Sequence, residues 1–158
     1  MVDQLFNNQS FVDYHYFMDK NLYEASMPRH EYFVLNQQEH TLNIYGELDQ
    51  NEVFHSFSKP YQPFPMHITL NPKQSLLDRY GFSGPRSAII EFSVAVLKDL
   101  PIPLTPKVGD RVNVTEGLTN RSRQYEILTQ AYEQFIANTS FPLRFIVAAE
   151  LVEVAQQG

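Results

Sequence analysis

The feature that most constrains this chain is the junction between its most apolar run and a proline tract. Ser87 to Leu97 carries Ala88, Ile89, Ile90, Phe92, Val94, Val96 and Leu97, apolar on both faces at its start and alternating later. That pattern is expected of a central strand. Leu100-Pro101-Ile102-Pro103-Leu104-Thr105-Pro106 follows, with three prolines in six positions. Proline offers no N–H to a ladder, so residues 99–109 are expected to form an extended arm or loop.

The rest of the chain reads around that junction. Phe11, Tyr14, Phe17, Met18, Leu22 and Ala25 recur at three- or four-residue intervals, predicting one face of a helix within residues 1–28, ended by Pro28. Tyr32-Phe33-Val34-Leu35 predicts an edge or first strand, and Met66 to Leu70 another, with His67 and Thr69 on its polar face. Leu76, Leu77 and Tyr80 cluster in a short helix stopped by Gly81. Residues 41–64 hold Tyr45, Phe54, Phe57, Tyr61 and Phe64 without a steady period, and are expected to be an aromatic loop packed on its own domain or on a neighbouring subunit. Gly109-Asp110 makes a turn before an alternating strand from Arg111 to Thr115. That strand is expected to pair as a hairpin with Ser122 to Thr129, and Leu143 to Val154 supplies a last strand.

Strands outnumber helices and spacings are short. The fold class expected is mostly β (α+β): an antiparallel barrel-like sheet with an N-terminal helix, a short inserted helix and long loops or arms. A length of 158 residues predicts one domain. Within it, residues 1–28 are the helical segment and 29–154 the β-rich body. At this mass about 70% of the unfolded surface can be buried, so the core needs no staples. The sequence has no cysteine to supply one. No apolar run reaches the ~20 residues of a membrane span, and Met-Val-Asp-Gln-Leu-Phe-Asn-Asn does not read as a signal peptide. The chain is thus expected to be soluble, with no membrane partner.

Charge removes one class of function. A net charge of −6 argues against gripping nucleic acid through a basic surface, though not against surrounding it. Only 19% of residues are charged, while 21 are Phe or Tyr. Aromatic side chains enrich interface cores and Lys and Glu are depleted there, so extensive partner contacts fit this composition. A large aromatic core fits it as well.

Catalytic signatures are sparse. His67-Ile68-Thr69 is an H-x-T tripeptide, of the kind two-histidine phosphoesterases use in pairs, one His as base and one as acid; His15, His30, His40 and His55 supply no second copy. A small β-rich phosphoesterase or hydrolase using His67 is therefore the enzymatic alternative. The histidine spacings match no metal motif, and the glycines form no phosphate cradle, so neither a metal nor a cofactor is expected. Arg121 and Arg123 flank Ser122, and Lys107 and Arg111 flank Gly109-Asp110. These four are ordinary turn charges, or phosphate contacts if they line a pore.

One resemblance runs through the order of features. Tyr32 to Leu35, Ile44-Tyr45-Gly46-Glu47, the short helix ending at Gly81, Pro106-Lys107-Val108-Gly109-Asp110 and Tyr125-Glu126-Ile127 succeed one another, followed by Ala149-Glu150-Leu151. Over residues 30 to 153 this resembles the neck (head-completion, head–tail connector) proteins of contractile-tailed bacteriophages of the T-even type, although Tyr125 stands where that family tends to have Phe. The resemblance implies a structural virion protein and no enzyme. It would be a ring homo-oligomer, expected as a hexamer, assembled in the bacterial host cytoplasm. The ring would lie between the portal and adaptor proteins of the head and the tail terminator proteins, retaining DNA and offering the platform on which the tail docks. Double-stranded DNA would pass the lumen without sequence-specific binding. A tail terminator or other tail-ring component is the nearest alternative. Tyr45, Phe54, Phe57, Tyr61 and Phe64 of the loop, with Pro101, Ile102, Pro103 and Leu104 of the arm, are then the candidate subunit or partner contacts. Lys107, Arg111, Arg121 and Arg123 are the candidate lumen- or DNA-facing residues.

Overall fold

The computed structural model describes residues 8–36, 39–42, 48–54, 56–116 and 121–152. Helix α1 (Asn8–Ser26) leads into β1 (Arg29–Leu35), then β2 (Glu39–Leu42), β3 (Leu48–Phe54), β4 (Phe57–Ser58), β5 (Phe64–Pro65) and β6 (His67–Leu70). Helix α2 (Gln74–Arg79), β7 (Ala88–Ser93) and α3 (Val94–Lys98) come next, followed by β8 (Arg111–Glu116), β9 (Arg121–Ile127), β10 (Tyr132–Phe135) and β11 (Pro142–Leu151). The expected mostly β, antiparallel architecture is the one found, with a difference in closure. Nine strands form one sheet along the path β4-β1-β8-β9-β11-β7-β6, and the path does not close into a barrel. β10 pairs with β11 and β5 with β1, while β2 and β3 form a separate hairpin.

The apolar run behaves as its pattern predicts only as far as Ser93. β7 sits between β6 and β11, with Ile90 opposite Val147 and Ile68. Its alternate side chains enter two cores. Ala88, Ile90 and Phe92 join Val147 and Ala149 of β11 in the larger one, while Ile89 meets Ile146, Ala148, Leu77 of α2 and Phe82 just beyond it in the smaller. Burial on both faces accounts for the missing alternation. Val94 to Leu97, expected to continue the strand, turn instead into α3 with Lys98, and all the apolar residues of that helix are buried. A short, fully buried apolar run fits either backbone geometry, and the packing against α1 decides it here.

Two further expectations are refined. β1, expected as an edge or first strand, is the first strand and no edge, since it pairs with β8 through Glu31 to Phe33 and with β4 and β5 at its ends. Residues 41–64 are not one loop, because β3, β4 and β5 lie within them. Gly81 stops α2 as expected: at φ 73° it lets its own N–H reach the Asp78 carbonyl and the Phe82 N–H reach Leu77, a Schellman ending sealed by the Leu77–Phe82 contact.

The Gly109-Asp110 turn ties three segments together. Gly109 has φ 95°, a conformation strained for any side chain, and a Cβ there would stand 2.6 Å from Leu35 Cδ2 and force that side chain to shift. Asp110 is buried, and its carboxylate accepts from the Tyr32 hydroxyl, from the Leu35 N–H at 2.9 Å and from the Lys107 N–H at 3.3 Å. Its carbonyl accepts the Ile127 N–H at 2.8 Å, so one residue fixes β1, the arm and β9. Burial and the facing Asp110 carboxylate push the Tyr32 hydroxyl well above its ordinary value. Ionised Tyr32 is therefore disfavoured in the folded chain while the unfolded chain ionises freely near pH 10, and stability must fall as pH rises beyond that point. Tyr32→Phe should cost about 1.5–3 kcal/mol at neutral pH by removing a donor from a buried carboxylate, and should flatten the alkaline decline. Urea unfolding at several pH values measures both effects.

Candidate functional site

Helix α1 carries the surface with the clearest capacity for contact. The face buried against the body is Val12, Asp19 and Tyr23, with His15, Tyr16 and Lys20 half-buried beside it. The stripe expected as one helix face, Phe11, Tyr14, Phe17, Met18, Leu22 and Ala25, is that, and it faces outward. Both faces of this helix are aromatic or aliphatic at helical spacing, so periodicity alone does not choose between them.

Polar ties make the choice. Arg144 on β11 donates from Nη2 to Asp19 Oδ1 at 2.9 Å and from Nε to the same atom at 3.3 Å. Its guanidinium lies 5.4 Å from the Tyr23 ring centroid. Burial works against the Arg144 charge, but Asp19 together with the nearby Tyr23 and Glu91 outweighs it and its pKa moves up. Burial pushes the Tyr23 hydroxyl above its ordinary value, with Arg144 pulling the other way. Tyr16 donates its hydroxyl to the Pro142 carbonyl at 2.9 Å, Lys98 Nζ stands 4.5 Å from the Tyr16 ring centroid, and Lys20 pairs with Asp99 at the end of α3. Every one of these ties lies on the inward side.

The aromatic residues of segment 41–64 divide. Tyr61 and Phe64 are buried with Tyr32 and Phe92, their ring centroids 5.9 to 6.5 Å apart in contacting pairs, so they belong to the chain's own core. Phe57 is half-buried beneath Arg111, whose guanidinium is 4.4 Å from its centroid. Phe54 ends β3, and Tyr45 lies outside the described residues. The arm makes no ladder. Leu104 is buried and its N–H reaches the Leu97 carbonyl at 3.4 Å, whereas Pro101, Ile102 and Pro103 stand out, Ile102 at 60% exposure. Aromatic residues at the β10 end of the sheet were given no role by sequence: Tyr132 and Phe135 of β10 and the nearby Phe141 are all exposed. Their strand is only four residues long, too short for a periodic signal.

The four basic candidates do not form one patch. In the β8–β9 register Arg111 stands opposite Glu126, whereas Arg123 stands opposite Val114 and Arg121 opposite Glu116. Arg111 therefore projects from the opposite face of the hairpin to Arg121 and Arg123. It is engaged locally, bonded to Gln124 at 3.3 Å and paired with Glu126 at 3.5 Å. Arg121, Arg123 and Lys107 are exposed.

His67 also finds polar company. Its Nδ1 lies 3.3 Å from Glu91 Oε2, and the Tyr80 hydroxyl donates to Glu91 Oε1 at 3.3 Å. The His67 side chain is 44% exposed, so the trio stands open on the edge strand rather than in a closed cleft. Among the described residues, no group of three or more potential metal ligands is assembled, and no helix is long and apolar enough to cross a membrane. Comparison with family models, with curated proteins and with solved structures gave no match. The functional reading therefore rests on the fold, its surfaces and the resemblance in the order of sequence features.

Because Asp19 sets the rotation of α1, Asp19→Asn should weaken the helix's seating more than the fold. About 1–3 kcal/mol of stability should be lost, and hydrogen exchange of α1 amides should accelerate ahead of those of β7 and β11. Uniform acceleration across the chain would contradict this seating.

Proposed function

We propose that this chain is a structural ring subunit of the neck of a contractile-tailed bacteriophage, bridging the head's portal assembly and the tail. The observation that carries the reading is the open sheet. It ends in two unlike margins, β4 at one end of the path and β6 at the other, with the exposed β10 strand pairing only to β11. Unpaired edges invite another chain, and contacts between unlike edges are heterologous, the kind that closes rings. The protruding Pro101-Ile102-Pro103 segment, held at its base by Leu104, gives such a subunit a tongue that a neighbour can cover.

Charge supports a channel that DNA traverses without sticking. Six copies at −6 each bring 6 × −6 = −36 to a ring, which repels phosphate overall. Arg121 and Arg123, on one face of the β8–β9 hairpin, are the basic side chains best disposed to face a lumen; Arg111 and its local partners serve the hairpin itself.

The test uses native mass spectrometry and electron microscopy of the purified chain, alone and with extracts of virion necks. A sixfold or twelvefold complex bound to portal or adaptor rings is expected. Ile102→Asp should abolish that complex while changing unfolding stability by less than about 0.5 kcal/mol, because the side chain is exposed. Failure of the wild-type chain to bind neck components, or full assembly by the variant, would refute the assignment.

A further inference from the structure

The outward stripe of α1 has the size and the shape of a surface that fits a second copy of itself. Phe11 is 40% exposed, Tyr14 59%, Phe17 64%, Met18 50% and Leu22 47%. At 150–250 Å² for a whole aromatic side chain, these five leave about 500 Å² of largely apolar surface on one helix face. Two copies meeting there would bury up to about 1,000 Å² from these side chains alone, the lower bound for a specific interface. The stripe itself carries no charged residue, the charges of the helix lying on its flanks and inward side.

Its bulk is graded along the axis. Phe11, Tyr14 and Phe17 occupy the N-terminal half, while Leu22 and the exposed Ala25 occupy the C-terminal half. A parallel pair would set Phe11 on Phe11 and Ala25 on Ala25, leaving a wedge open at one end. An antiparallel pair centred on Met18 sets Phe11 against Ala25 and Tyr14 against Leu22, filling the seam evenly over about 21 Å of helix. We propose that α1 is a two-fold self-association face, on which two copies of this chain pair antiparallel about Met18.

This contact does not depend on the neck reading. A two-fold contact is satisfied by one partner and cannot propagate around a ring, so it joins two chains or joins two rings back to back. Each copy carries −6, so long-range repulsion opposes pairing, and added salt must tighten it by screening.

The chain alone tests the proposal, with no virion component present. Sedimentation equilibrium should give a monomer–dimer equilibrium that shifts towards dimer as salt is raised. Met18→Glu, which sets two carboxylates across the axis from an exposed position, should weaken it roughly 30-fold or more without altering the unfolding midpoint. The natural chain has no cysteine, so single-cysteine variants report orientation directly under air oxidation. Met18→Cys should cross-link to itself, and Phe11→Cys should cross-link to Ala25→Cys in a mixture but not to itself. A monomer at every concentration, Phe11→Cys self-linking as fast as Met18→Cys, or a dimer untouched by Met18→Glu would each overturn the proposal.

Discussion

The ion pair between Asp19 and Arg144 determines what this molecule shows to its surroundings. A carboxylate 5% exposed is tolerable only beside a matched donor, and Arg144 provides two hydrogen bonds to one of its oxygens. That requirement fixes the rotation of α1 about its own axis. Val12, Asp19 and Tyr23 turn inward together, and Phe11, Tyr14, Met18 and Leu22 have no choice but to turn outward. A helix with apolar residues around most of its circumference would otherwise bury its most aromatic side. Here electrostatics outranks the hydrophobic count, and the exposed stripe is the consequence.

A second buried carboxylate performs the corresponding task in the sheet. Asp110 gathers Tyr32, Leu35 and Lys107 while its backbone holds the end of β9, so the arm departs from a fixed point. Leu104 closes the other end of that departure against Leu97, and Pro101 to Pro103 are left projecting. The aromatic knot of Tyr32, Tyr61, Phe64 and Phe92 fills the space between. Rigidity at the base and exposure at the tip are properties useful to an adhesive subunit. They follow from one glycine in a backbone conformation that strains other residues and one aspartate with three donors.

Much of this was legible in the residues. Alternation exposed β8 and its pairing with β9, the prolines kept residues 101–107 out of the sheet, and Gly81 and Gly109 marked their turns. What failed did so for identifiable reasons. Val94 to Leu97 read as strand because a wholly buried run has no period to betray a helix. Tyr61 and Phe64 read as interface because a count of aromatic residues does not separate core from surface, and only the contact with Tyr32 places them. Arg111 was grouped with Arg121 and Arg123 by proximity in sequence, whereas the strand register sets it on the other face. The α1 stripe was legible as one face but its direction was not, because the partner that decides it, Arg144, lies 125 residues away from Asp19.

The orientation of α1 underlies both the surface description and the self-association it leads to, and thiol reactivity measures it directly. Cysteine introduced singly at Phe17 and at Val12 should label at very different rates in the folded chain. The account requires rapid labelling at position 17 in dilute solution, slowing as protein concentration rises, and protection at position 12 throughout. Protection at 17 at every dilution, with ready labelling at 12, would show that the helix sits the other way round.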